Sequence, residues 1–156
     1  MNLPLFANDS NLQEISIYTD GACKGNPGRG SWAAILVEGS DRSGAKEVFG
    51  VSEETTNNQM ELTAAIEGLR RLDRRSKVRV YSDSAYLVNA FRNNWIANWQ
   101  KNGWRTKDRK AVKNRDLWEL LISLCSMHDV CFEKVAGHSG DPLNERADQL
   151  ANQALE

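Results

Sequence analysis

The chain has 156 residues, 40% of them hydrophobic and 26% charged, with a formal net charge of −1. That length and balance suit one compact domain with a proper core and argue against a disordered or collagen-like chain. No apolar run nears the roughly 18 residues of a membrane span. The opening MNLPLFANDS lacks the basic start and long apolar stretch of a secretion signal, so no membrane partner and a cytoplasmic location are expected. Three irregularly spaced cysteines, Cys23, Cys125 and Cys131, give neither a disulfide framework nor a CxxC zinc pattern. Cys125 and Cys131 stand among apolar neighbours and read as free core thiols.

Residues 1–13 show no periodicity and read as a flexible tail, leaving 14–156 as a single domain. EISIYTD alternates and is rich in β-formers, which predicts a first strand ending in the turn-rich GACKGNPGRG. SWAAILVEG and AKEVFGVS predict two more strands, joined by short Gly-containing connections into an antiparallel meander. Leu62, Ala65, Ile66, Leu69 and Leu72 mark the apolar face of a helix from about Asn58 to Leu72. KVRVYSD predicts a fourth strand and SAYLVNAF a second helix. A basic, helical segment follows, then a helix in NRDLWELLISLCSMH, a fifth strand in VCFEKVAG, and a last helix. That last helix opens at Asp141-Pro142, with Asp as N-cap and Pro in the first turn. The expected class is α/β: a five-stranded mixed sheet, part antiparallel meander and part parallel, flanked by helices.

Four acids fall at element ends or on helix faces where they can converge: Asp20, Glu61, Asp83 and Asp148. If the first and fourth strands are parallel neighbours, Asp20 and Asp83 emerge side by side at the sheet edge where α/β proteins carry their sites. Each acid also has a plain structural reading. Asp20-Gly21 is a common turn pair, and Asn58-x-x-Glu61 resembles a capping box. Asp83-Ser84 can cap the next helix, and Asp148 can be an exposed helix acid. Clustered carboxylates repel one another unless a cation neutralises them, and hard oxygen donors suit Mg²⁺ or Mn²⁺ better than zinc. Two such ions can clamp an in-line phosphoryl displacement.

Between Lys101 and Arg115 lie Lys101, Arg105, Lys107, Arg109, Lys110, Lys113 and Arg115, opposed only by Asp108. Such a patch on a near-neutral chain is either a polyanion contact or a solvated charged loop. Trp95, Trp99 and Trp104 are interleaved with it and read mainly as packing residues.

YTDGACKGNPGRGSWAAIL, TTNNQMELTAAIEGL, VYSDSAYLV and VAGHSGDPLNERADQLA resemble, in order and spacing, the successive motifs of type 1 ribonuclease H. The resemblance runs from about Ile15 to the C-terminus, and WIANWQKNGWRTKDRKAVKNRDLW resembles the basic protrusion of bacterial members. It implies an RNase H-like fold and endonucleolytic hydrolysis of the RNA strand of RNA–DNA hybrids, leaving 3′-hydroxyl and 5′-phosphate ends, with roles in removing RNA primers and R-loops. It maps Asp20, Glu61, Asp83 and Asp148 onto the family's Mg²⁺-binding acids, with two ions per site and Mn²⁺ as a substitute. His138 maps onto a mobile histidine that assists product release or proton transfer. Gly21, Ala22, Cys23, Asn26, Asn57 and Asn58 map onto hybrid contacts, and Thr56 onto a pocket gripping a DNA phosphate. Lys101, Trp104, Arg105, Lys107, Arg109 and Lys110 fall in the protrusion and are expected to bind the hybrid backbone.

Two positions depart from the bacterial pattern. Ala85 stands where many members carry glutamine, and Val37 where some carry a basic residue expected near the phosphate pocket. A hybrid-binding module without catalysis would lack at least one acid, and all four are present. The TDG and GHS…ERAD motifs also point away from a strand-transfer enzyme on the same fold. A monomer is expected, and NLPLF in the tail faintly resembles a sliding-clamp docking motif. His128, at a helix end, reads as an exposed loop residue.

Overall fold

The computed structural model describes residues 12–136 and 140–156. His138 and the NLPLF motif lie outside the described residues. In chain order come strands β1 (Gln13–Lys24), β2 (Gly28–Glu38) and β3 (Lys46–Thr55), helix α1 (Asn57–Arg70), and strand β4 (Ser76–Ser82). Helices α2 (Ala85–Arg92), α3 (Trp95–Asn102) and α4 (Arg115–Cys125), strand β5 (Asp129–Lys134) and helix α5 (Pro142–Ala154) follow. The strands form one sheet in the order β3-β2-β1-β4-β5. The β1–β2 and β2–β3 pairs are antiparallel, whereas β1–β4 and β4–β5 are parallel. The expected mixed sheet is therefore present. No helix among the described residues is long and apolar enough to cross a membrane.

Alternation along β1 and β2 divides the core in two. Ile15, Ile17, Ala34 and Leu36 face α1 and α4, meeting Leu62, Ala65, Ile66, Leu69, Trp118 and Leu121. Tyr18, Ala33, Ile35 and Val37 face α5 and meet Ala147, Leu150 and Ala151. Val37 is thus a core residue at the far end of β2 from Gly28, which pairs with Thr55 beside Thr56. Nine residues of strand, about 30 Å, separate Val37 from that neighbourhood, so its expected place near a phosphate pocket is wrong.

Two local expectations also change. The capping box of α1 is built on Thr56 and Gln59, not on Asn58 and Glu61: Thr56 Oγ1 accepts from the Gln59 amide, and the Gln59 side chain accepts from the Thr56 amide. Glu61 is thereby free of any capping duty. Cys131 is exposed, not a core thiol. On edge strand β5, Phe132 faces the core, and Cys131 faces the side that α5, which packs on β1, β2 and β3, leaves uncovered.

Candidate active site

Parallel register brings the first two acids together. The β1–β4 pairing ends at Tyr18↔Tyr81. Asp20 and Asp83 each lie two residues beyond that last pair, so both emerge where the two strands part. Asp20 remains paired to β2, opposite Ala33, which holds its backbone, while Asp83 stands in the short turn between β4 and Ser84, the N-cap of α2. The hydroxyl of Ser84 accepts from the Leu87 amide, so the capping duty weighed for the Asp83-Ser84 pair falls to the serine.

Glu61 enters from α1. That helix lies so close to β1 that a Cβ added at Gly21 would come 2.7 Å from the Glu61 nitrogen and 2.8 Å from the Met60 carbonyl carbon. Only glycine permits this approach. The close contact places the Gly21 amide to hydrogen-bond both the Asp20 and the Glu61 carboxyls. Glu61 is only 4% exposed, and its Oε1 is buried with no hydrogen-bond partner among the described residues. One oxygen each from Asp20, Glu61 and Asp83 lies within 4.8 Å of the others. Asp148, on α5 beside the packed Ala147 and Ala151, completes the set by hydrogen-bonding Asp20. Its Oδ1 also accepts from Asn152 Nδ2 at 3.2 Å.

Such crowding carries an electrostatic cost. Burial, the hydrogen bond to Asp148 and the negative charges of Asp83 and Asp148 push the Asp20 carboxyl up to about 8. Burial above all, then Asp20 and Asp83, raises Glu61 well above the usual carboxylate range. An orphaned buried oxygen beside two further carboxylates is the donor set of a hard divalent cation, and the residues present fit one.

The four acids, Gly21, Asn57, Asn58, Ser84, Ala85 and Tyr86 line one open cleft. Asn57 and Asn58 are exposed in the first turn of α1, and the Asn57 amide donates to Asn26 Oδ1 at 2.9 Å. Cys23 lies across the same corner. Its thiol is within hydrogen-bond range of the Gly25 and Thr55 carbonyls, at 3.1 and 3.4 Å. Ala22 packs on the α5-side core. Ala85 is exposed in the cleft and brings only a methyl group.

The basic residues stand apart from the acids. Lys101 lies in the last turn of α3 and Arg115 opens α4, and the basic residues between them are not helical. Gly103, at φ 78°, ends α3, and residues 103–114 form a hairpin-like loop closed by an Arg105↔Ala111 bridge and a Thr106 N–H to Lys110 carbonyl bond of 2.8 Å. Arg105, Lys107, Arg109 and Lys110 are all exposed. The expected helical segment is therefore mainly a loop, because burial of Trp104 pulls the chain back after Gly103. Trp104 itself is 7% exposed, packed on Trp99 with Arg115 over its ring. It offers almost no surface to a ligand. His128 is also not a free loop residue: its Nδ1 accepts from the Ser76 amide at 3.1 Å, and burial, with Arg75, lowers its pKa.

Sequence reasoning missed Gln59, Tyr86 and Asn114, which hydrogen-bond to one another between α1, α2 and α4. The trace in the sequence is that all three lie inside the recognised stretches, in TTNNQMELTAAIEGL, VYSDSAYLV and WIANWQKNGWRTKDRKAVKNRDLW.

Comparison with known proteins agrees with this geometry. The family model described as RNase H matches residues 12–156. A protein named Ribonuclease H from Chlorobium luteolum is 51% identical over 144 residues, covering 92% of this chain and 97% of its own. Another of that name from Cupriavidus necator is 52% identical over 145 residues, covering 93% and 97%. The crystal structure of LC9-RNase H1, described as a type 1 RNase H with the type 2 active-site motif, superposes with a TM-score of 0.79 at 28% identity. That match covers 92% of this chain and 72% of the other. With the family matched over nearly its whole length and the acids converging at the split in the sheet, this chain belongs to the RNase H family of endonucleases.

Proposed function

We propose that the protein hydrolyses the RNA strand of RNA–DNA hybrids at the Asp20–Glu61–Asp83–Asp148 cluster, leaving 3′-hydroxyl and 5′-phosphate ends. The observation that carries this reading is the convergence of three carboxylate oxygens within 4.8 Å of one another, one of them from a buried group with an unpartnered atom. Asp20, Glu61, Asp83 and Asp148 would hold Mg²⁺, two ions in the catalytic state, with Mn²⁺ as a substitute. Bound there, the metal supplies an activated water and stabilises the leaving oxygen.

The chain's own groups do the rest. The Gly21 amide orients Asp20 and Glu61. Asn57 and Asn58, exposed at the start of α1 with Asn26 and the N-cap Thr56 beside them, grip the phosphate-sugar backbone. The backbone at Gly21, Ala22 and Cys23 reads 2′-hydroxyls across the wide minor groove, the feature that separates RNA from DNA. Lys101, Arg105, Lys107, Arg109 and Lys110 hold phosphates at a distance from the chemistry. His138, through its motif, assists product release or proton transfer. Removal of RNA primers and R-loops is the cellular role this activity would serve.

A labelled-substrate assay on hybrid, duplex RNA, duplex DNA and single strands, with Mg²⁺ or with chelator, tests the proposal. Cleavage of the RNA in hybrid alone, lost with chelator, is the expected result. Equal cleavage of duplex DNA, or cleavage that survives chelation, would overturn it.

A further inference from the structure

The basic loop and the acid cleft are separate surfaces, yet one chain of neutral hydrogen bonds joins them. At the start of α1, Gln59 Oε1 accepts from Thr55 Oγ1 at 2.9 Å and from the Thr56 amide at 3.2 Å. Those two bonds fix the amide plane and aim Nε2 at Asn114 Oδ1, 3.1 Å away. Asn114 is the residue at which the basic loop ends and α4 begins, in a left-handed conformation at φ 62°. Its Nδ2 donates to the Tyr86 hydroxyl at 3.1 Å. That hydroxyl also accepts from Trp118 Nε1 at 3.1 Å. Tyr86 lies in the first turn of α2, three residues after Asp83, and lines the acid cleft.

The root of the loop is bolted to the same point from its other side. Trp118, fully buried, meets the ring of Trp99 edge-on at 5.5 Å, and Trp99 meets Trp104 at 5.7 Å. Arg115 lies 5.1 Å over the Trp104 ring. Both ends of the basic loop therefore lead, through α4, to the hydroxyl of a tyrosine that lines the acid cleft and to one glutamine amide in the first turn of α1. Side-chain pairs that merely stabilised α4 would have no need to converge on those two places.

We infer that Gln59, Asn114 and Tyr86 form a positioning bridge that holds the basic loop in register with the acid cleft, so that nucleic acid gripped by the loop is presented to the carboxylates. The inference rests on the function proposed above. None of the three residues is a catalytic residue here. They act through the elements they tie together, and removing one partner of such a bond uncouples its neighbours.

A double-mutant cycle in steady-state hybrid cleavage tests the bridge. Gln59→Leu cuts it at one end. Tyr86→Phe cuts it at the other, removing only the oxygen and keeping the ring on Trp118. In the wild type, neutralising Lys107, Arg109 and Lys110 together should raise KM. In either cut background the same neutralisation should raise KM by several-fold less, a coupling in the range seen within one hydrogen-bond network. The Gln59→Leu/Tyr86→Phe double variant should be no worse in KM than the poorer single, because both cut one chain. A merely stabilising role predicts effects that multiply independently, and that outcome overturns the bridge while leaving the function intact. A wild type that leaves hybrid uncut overturns both. If Gln59→Leu fails to fold, the isosteric Tyr86→Phe decides the matter alone.

Discussion

At the scale of single residues, Asp20 carries the most instructive conflict. Burial, with Asp148 and Asp83 beside it, pushes its carboxyl up to about 8 in the folded protein, against 3.8 for the ordinary group. Between those values the folded state holds a proton that the unfolded state has released, so stability falls as pH rises from about 4 to about 8. Glu61 is shifted in the same direction. Metal-free protein should therefore melt at a lower temperature at pH 8.5 than at pH 5.5. Asp20→Asn should shrink that difference, and Mg²⁺ should shrink it in the wild type by neutralising the cluster. Thermal melts in chelator and in Mg²⁺ at both pH values check this, and an unchanged difference in Asp20→Asn would count against the electrostatic account. Gly21 supplies a steric test of the same spot. Gly21→Ala drives a Cβ into the backbone of Met60 and Glu61. Overpacking of this kind costs about 1–3 kcal/mol, and cleavage should fall with it because Glu61 is displaced. Denaturant unfolding and initial rates measure the two effects. Asp20 and Asp83 were legible as a pair only on the condition that the first and fourth strands are parallel neighbours, which the register of β1 and β4 meets. Glu61's burial was not, because a local capping pattern at Asn58 competed with it, and only the tertiary approach of α1 to Gly21 hands the cap to Thr56 and Gln59.

At the scale of elements, the strands and helices followed from periodicity, and the misreadings arose where tertiary packing overrode local composition. The basic stretch has helix-forming residues, but burial of Trp104 and the left-handed Gly103 turn it into a loop. Cys131 was misplaced for a related reason: which face of a strand is covered depends on where α5 sits, and nothing in the strand itself says so. Val37 was placed by the resemblance, and the register of β2 carries it to the opposite end of the strand. The loop reading sharpens its prediction. Exposed Lys107, Arg109 and Lys110 contact phosphates whose counterions are released on binding. Replacing all three with Ala should raise KM and flatten the salt dependence of affinity by about 0.7–0.9 log units per lost contact. Turnover at saturating hybrid should stay near the wild-type value, since the lost binding is common to ground and transition states. A steady-state salt series reads both quantities. An unchanged slope would remove the loop from the interface, and lost turnover at constant KM would move it into the chemistry. Thr56→Ala should cost about 1 kcal/mol through the α1 cap, measurable by denaturant unfolding.

At the scale of the whole molecule, the fold explains why four distant acids meet. The parallel pairing of β1 and β4 ends just short of Asp20 and Asp83, α1 closes on one face at Gly21, and α5 closes on the other with Asp148 facing Asp20. The cleft lies where the sheet parts, and the basic loop lies beyond α2 and α4. If the proposed function holds, this cluster, and no other part of the chain, cuts RNA opposite DNA. Single-turnover cleavage of a hybrid labelled on both strands, by wild type and by Asp20→Asn at saturating Mg²⁺, tests it most directly. The expected result is a shortened RNA strand and an intact DNA strand with the wild type, and no cleavage above background with Asp20→Asn, which still folds and still binds the hybrid. Cleavage by Asp20→Asn within about tenfold of the wild-type rate, a difference of only about 1.4 kcal/mol in barrier, would contradict it.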